Sequence, residues 1–242
     1  MAKTAVLIDG SFYLKMASKH WGGKSPEERA SEMHAYALSH ITARRNTTEE
    51  IEKRSLYRIF YYDCPPVTGI NVIQPWNGKN CSLTIKRGTG KWRKEFLDCI
   101  ATKRKVALRL GTISYKNSRF VPSSSAMRDL ISGARSFSDL GEDDFVMTGI
   151  KQEGVDMRIG LDIASLASAG IIDQVVLIAG DSDFVPVMKY ARRHGVDFII
   201  DPMGHQIHKE MIVQSDLVED LTDKSMPRSS GPCVEYQGYE TH

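Results

Sequence analysis

The chain has 242 residues, 41% hydrophobic and 26% charged, a composition that fits a folded soluble protein with one sizeable α/β domain or two small ones. Its 32 Lys and Arg against 30 Asp and Glu leave a net charge of +2, so any nucleic-acid surface must come from local clustering. Four scattered cysteines, Cys64, Cys81, Cys99 and Cys233, show no CxxC or Cys/His spacing; this argues against zinc and a disulfide-dense scaffold and predicts reduced thiols.

The first apolar run, Ala5-Val6-Leu7-Ile8, reads as a strand from about Thr4 that ends in Asp9-Gly10-Ser11. It is too short for a signal-peptide core or a bilayer span, so a cytoplasmic protein without membrane association is expected. A helix follows to about His20 and breaks at Gly22-Gly23. Ser25-Pro26-Glu27-Glu28 then spells a capping box with proline at the first helical position, opening a helix to about Arg45. Its face of Ala30, Met33, Ala37, Leu38 and Ile41 suits either core packing or a homodimer contact.

Leu56 to Tyr62 reads as a second strand closed by Asp63-Cys64-Pro65-Pro66, and residues 67 to 88 as turn-rich. Trp92 to about Lys103 is a predicted helix, with Trp92, Phe96 and Ile100 at i, i+4 and i+8. Val106 to Tyr115 is strand-like around Gly111, and Arg119 to Pro122 is expected to pair back on it as a hairpin. Ser123 to Gly149 is serine-rich and then acidic, in part a surface excursion.

From Val155 the pattern is regular: a helix to Ala169 closed by Gly170, a strand from Gln174 to Ile178, a helix from about Phe184 to His194 and a strand from Val196 to Ile200. That βαβ alternation implies parallel strands joined by a right-handed crossover. A short helix is expected near Gln206 to Val213. The expected organisation is one domain over residues 1–223 with a variable insertion around 63–145, and a flexible tail over 224–242.

Asp9 ends one parallel strand, and Asp181 and Asp183 follow the end of another, where open parallel sheets bind their ligands. Asp156 opens the helix leading into the second strand, and Asp162 lies six residues further on. Singly, each has a bland reading as a helix cap, a turn or solvated surface. Together, several carboxylates in one crevice repel one another and need protons, basic partners or a divalent cation. Oxygen-only ligation points to Mg²⁺ or Mn²⁺ rather than zinc.

VLIDGSFY (Val6 to Tyr13), KQEGVDMRIGLDIASLA (Lys151 to Ala167) and VVLIAGDSDFVPVMKYARRHGVDFII (Val175 to Ile200) resemble, in order and spacing, the NYN family of PIN-like metal-dependent nucleases. The resemblance implies a Rossmann-like three-layer α/β/α sandwich with a mostly parallel sheet. It also implies a Mg²⁺- or Mn²⁺-dependent ribonuclease site acting on RNA. Asp9, Asp156, Asp181 and Asp183 are then the expected metal-binding acids, with Asp162 a fifth. Ser11 stands where the family commonly has Asn; it and Lys151 are expected to contact substrate, and Ser182 to donate to a carboxylate or the backbone beside it.

Lys86 to Phe96 places five basic residues beside Trp92, so Lys91 and Arg93 are candidate phosphate contacts while Trp92 itself is expected in the core. Two alternatives stay open. One is an RNA-binding or scaffold module that keeps the fold without turnover. The other is a phosphatase, disfavoured because Asp9-Gly10-Ser11 lacks the second acid of an aspartyl-phosphate loop.

Overall fold

The apolar runs that end in acids form the centre of the molecule. A computed structural model describes residues 1–42, 53–66, 71–76, 79–84, 88–114, 116 and 118–222. In chain order the first half comprises β1 (Ala2–Asp9), α1 (Gly10–Trp21), α2 (Pro26–Thr42), β2 (Arg54–Asp63), β3 (Asn71–Trp76), β4 (Lys79–Thr84), α3 (Gly88–Ala101), β5 (Val106–Leu110) and β6 (Thr112–Ser114). The second half comprises β7 (Arg119–Pro122), α4 (Ser124–Ile131), β8 (Phe145–Thr148), β9 (Lys151–Glu153), α5 (Val155–Ser168), β10 (Gln174–Ile178), α6 (Val185–Arg193), β11 (Asp197–Asp201), α7 (Lys209–Gln214) and β12 (Leu217–Val218).

Six strands form one all-parallel sheet in the order β12-β11-β10-β1-β2-β5. All five β10 residues are buried, which explains why its sequence shows no period-two alternation. Side chains from alternate positions feed two cores. Leu7, Phe60, Tyr62 and Leu177 pack with Ile159 and Ile163 of α5 and Met188 of α6. Ile8, Tyr61 and Ile178 pack on the other face with Met16 of α1, Met33 and Tyr36 of α2 and Phe96 of α3. The result is the expected α/β/α sandwich. Each fully buried Leu or Ile contributes on the order of 1.5–3 kcal/mol of hydrophobic stabilisation.

The α2 start is closed as its sequence spells: the Ser25 N–H donates to Glu28 at 2.9 Å, and the Glu28 N–H donates to Ser25 Oγ at 3.3 Å. Trp92 is core, stacked on Phe96 at 5.3 Å with its indole N–H donating to the Lys24 carbonyl.

Three expectations are corrected. Arg119 to Pro122 does not pair back on the preceding strand; β7 pairs with β8 and β6 with β9, both antiparallel, with α4 between β7 and β8. The break lies at Gly111, whose N–H donates to the Asp63 carbonyl. A Cβ there would stand 2.6 Å from the Glu153 carbonyl oxygen, so glycine admits the returning β9 backbone. The arm carries a small core of its own, Phe120, Ala126, Leu140 and Phe145. Within the turn-rich 67–88 stretch, β3 and β4 pair antiparallel. Cys64 is a free, buried thiol as expected, but Cys99 is disulfide-bonded, which scattered spacing alone does not signal. The expected tail over 224–242 lies outside the described residues.

Among the described residues no helix is long and apolar enough to cross a membrane.

Candidate active site

From β1 the chain winds outward through β2 and β5, then returns to place β10 on the other side of β1. A crevice opens where the winding reverses, beyond the carboxyl ends of β1 and β10. Ile8 stands opposite Ile178, so Asp9 and the Ala179 to Asp183 turn leave the sheet side by side.

Asp9 caps α1, its Oδ1 accepting the N–H groups of Ser11 at 3.0 Å and Phe12 at 3.2 Å. Capping alone would hold a carboxyl low. Instead its pKa is pushed up to about 6, chiefly by burial, with the Asp156 and Asp63 charges adding to it against the two amide bonds. A titration near neutrality in a crevice is a functional signature.

Asp156 sits in the first turn of α5, which Gly154 opens in the left-handed conformation at φ 78°. An acid there should be stabilised by the helix dipole. Its pKa is raised nonetheless, by partial burial first and then by the charges of Asp181 and Asp183. Burial and neighbouring negative charge act in the same direction there. Asp181 caps the short turn Ser182–Phe184, accepting the Asp183 N–H at 2.9 Å, and both acids face solvent. Asp9, Asp156, Asp181 and Asp183 thus form one electrostatically coupled group.

Two glycines make this convergence possible. A Cβ at Gly180 would lie 2.6 Å from the Phe12 ring and 3.1 Å from the His205 ring, which together wall the crevice. A Cβ at Gly10 would lie 2.5 Å from the Tyr62 carbonyl oxygen. Gly10→Ala is therefore expected to destabilise the protein by about 1–3 kcal/mol by forcing α1 off the sheet. An unchanged urea midpoint would show that the contact yields freely.

The other candidates do not join the group. Asp162 Oδ2 accepts the Tyr62 hydroxyl at 2.8 Å and Arg109 Nε at 3.0 Å, so this acid ties α5 to β2 and β5. Arg109 in turn lies 5.4 Å over the Phe60 ring. Ser11 Oγ donates to Gln152 on β9 at 2.8 Å, linking the start of α1 to the arm. Lys151 and Ser182 are exposed, and Ser182 makes no side-chain hydrogen bond among the described residues. Lys91 is exposed and pairs with Glu95 at 3.7 Å. Arg93 is half-buried and ion-paired with Asp63.

Asp63 is the acid that sequence reasoning passed over. It ends β2 one residue beyond Tyr62, the register partner of Asp9, and is fully buried. Burial raises its pKa against the pull of Arg93. The signal was available: a third strand leaving the core through an aspartate.

A cavity of about 750 Å³ lies elsewhere, near the amino end of β11, lined in part by Lys189, Arg192, Arg193 and Asp216. It holds none of the coupled acids, and its Lys189 and Arg192 pair with Glu210 and Asp216. Its size does not make it the site of the chemistry.

Among the described residues, no three His, Cys, Asp or Glu side chains converge tightly enough to enclose a metal ion. The donor chemistry still suits a hard divalent cation, since the repulsion of neighbouring carboxylates is relieved by positive charge. Mg²⁺ keeps several waters and needs only one or two carboxylates, so a looser group fits it.

Fold and crevice define a doubly wound α/β protein with an acidic site at the reversal of its sheet. The NYN domain model matches residues 75–216, more than half of the chain, and the protein belongs to the NYN domain family, a PIN-like nuclease family. The matched region contains Asp156, Asp181 and Asp183 but not Asp9 or Asp63. A crystal structure of a protein of unknown function from Vibrio parahaemolyticus aligns with 89% of this chain and 90% of its own, at 14% identity and a TM-score of 0.43. No curated protein matches the chain.

Proposed function

We propose that the protein is a Mg²⁺- or Mn²⁺-dependent ribonuclease that cuts RNA endonucleolytically at the crevice. The observation that carries this reading is the electrostatic coupling of Asp9, Asp156, Asp181 and Asp183 at the switch point of a parallel sheet. Those four carboxylates would hold the cation. When bound, a divalent cation polarises a phosphoryl oxygen and acidifies a water.

The chain's own residues do the rest. The amides of Ser11 and Phe12 fix Asp9 through one oxygen, Oδ1, and neither bonds the other. The proton of the attacking water would pass to one of these carboxylates. The water oxygen bonds phosphorus, the ester P–O bond breaks, and the leaving alkoxide takes a proton back from that acid or from solvent water. The exposed Lys151 offers charge to a passing phosphate.

A second reading, RNA binding without turnover, is favoured by the commitment of Ser11 to Gln152. The deciding experiment incubates purified protein with labelled RNA in Mg²⁺, Mn²⁺ or EDTA. Cleavage in either metal and none in EDTA is expected. Binding with no cleavage in any condition would select the second reading.

A further inference from the structure

We propose that Arg93 is a phosphate-binding residue of the crevice and that Asp63 is its positioning residue, a role that rests on the ribonuclease reading. Arg93 lies on α3 and reaches the end of β2, where an Nη2 N–H donates to Asp63 Oδ1. Asp63 Oδ1 also accepts the Cys64 N–H at 2.7 Å, so the carboxylate is anchored on the backbone.

The incompleteness of the pair is the telling feature. Guanidinium–carboxylate pairs frequently close as two parallel bonds that satisfy both oxygens. Here Asp63 Oδ2 is buried without a hydrogen-bond partner. A guanidinium carries five N–H donors in a fixed fork. Arg93 uses one, and its other donors have no partner among the described residues. One edge of a half-buried cation is therefore held in place and open at its other donors, its side chain 27% exposed.

Location selects the ligand. Asp63 follows the register partner of Asp9, neighbouring strands lie about 4.8 Å apart, and the Asp63 charge is felt at Asp9. Other cations are differently disposed. Lys91 is 79% exposed and pairs with Glu95, while Arg109 is spent on Asp162 and Phe60. Arg93 thus offers a planar fork, held by the acid one residue past the register partner of Asp9 and matched to the two non-bridging oxygens of an RNA phosphate.

The test uses the full chain with Arg93→Lys, Arg93→Ala, Asp63→Asn and the Arg93→Ala/Asp63→Asn double variant. Binding of a short single-stranded RNA is measured by fluorescence anisotropy in EDTA across a salt series, and kcat and KM in Mn²⁺. Arg93→Lys keeps a cation beside buried Asp63, so it guards against loss of folding. Arg93→Ala is expected to weaken RNA binding roughly tenfold and to flatten the salt slope by about 0.7, the value for one phosphate contact on a single strand.

Arg93→Lys should recover the salt slope but not the full affinity, and its defect should fall on KM more than kcat. Asp63→Asn should cost no more in the Arg93→Ala background than nothing, because it acts through the arginine. An Arg93→Ala slope equal to wild type, additive losses, or no RNA binding by wild type would each overturn the proposal. RNA binding that depends on Arg93 without any cleavage would overturn the ribonuclease reading and leave the phosphate contact standing.

Discussion

Asp181→Asn is expected to lower metal-supported RNA cleavage by at least about 100-fold, the lower end of what a positioned carboxylate contributes, while leaving the fold intact. The same holds for Asp9→Asn and Asp156→Asn. The amide is chosen because it removes charge and keeps the cap: asparagine is as good an N-cap as aspartate, so the bonds to Ser11, Phe12 and Asp183 survive. Stability should move the opposite way to activity. Asp156 is solvent-facing, so relief of its repulsion with Asp181 and Asp183 is worth only a few tenths to about 1 kcal/mol, but its sign is positive. An Asp156→Asn variant that is both inactive and slightly more resistant to urea in EDTA would fit the coupled-acid site. Full activity in two of the three variants would remove the site.

The largest effect on stability is expected at His40. Its Nε2 meets Asp201 Oδ2 at 2.8 Å and its Nδ1 meets Glu219 Oε2 at 2.9 Å. Tyr36 donates to Asp201 at 2.6 Å, and Arg54 donates to Glu219 at 2.9 Å and to the His40 carbonyl at 2.7 Å. This buried relay ties α2 and the start of β2 to the end of β11 and the turn after β12. His40→Ala removes the cation between two carboxylates, leaving Asp201 with no charged partner among the described residues and Glu219 with Arg54 alone, and breaking a buried ion pair in this way costs about 3–5 kcal/mol. Urea unfolding of the variant reads that loss directly.

The same relay sets a pH dependence. Burial pulls the His40 pKa down, but Asp201 and Glu219 outweigh it, and the net shift is upward. Stability from His40 is complete below its unfolded value of about 6.5 and is lost as pH rises through the higher folded value. Burial pushes Glu219 up, and His40 and Arg54 outweigh that, holding it at about 2. Its contribution is complete above the unfolded range of about 4.3 and is lost as pH falls toward 2. Asp9, raised to about 6, also favours the folded state at lower pH. The melting temperature in EDTA should therefore peak between about pH 4.5 and 6.5 and fall toward pH 8. A flat profile from pH 5 to 8 would mean that His40 carries no proton.

Much of the fold was legible because local pattern carries it. β10 occupies the span read from its apolar run, and α2 begins at the capping box spelled by Ser25 to Glu28. Pairing within the arm was not legible. Whether β6 returns to β7 or to β9 depends on the close approach of Glu153 to Gly111, a contact between residues far apart in the chain. Arg93 and Lys91 looked alike as neighbours in a basic run, yet one is held by a buried acid and the other pairs on the surface.

By itself the sequence determined the strands β1, β2, β10 and β11 and their exits through acids, since these follow from side-chain burial and short-range geometry. Only the tertiary structure decided which acids meet. Strand order brings Asp9, Asp156, Asp181 and Asp183 into mutual electrostatic reach, turns Asp162 to Tyr62 and Arg109, and buries Asp63 beside Arg93. Electrostatic energy depends on distance in space and on burial, and neither is a property of spacing along the chain.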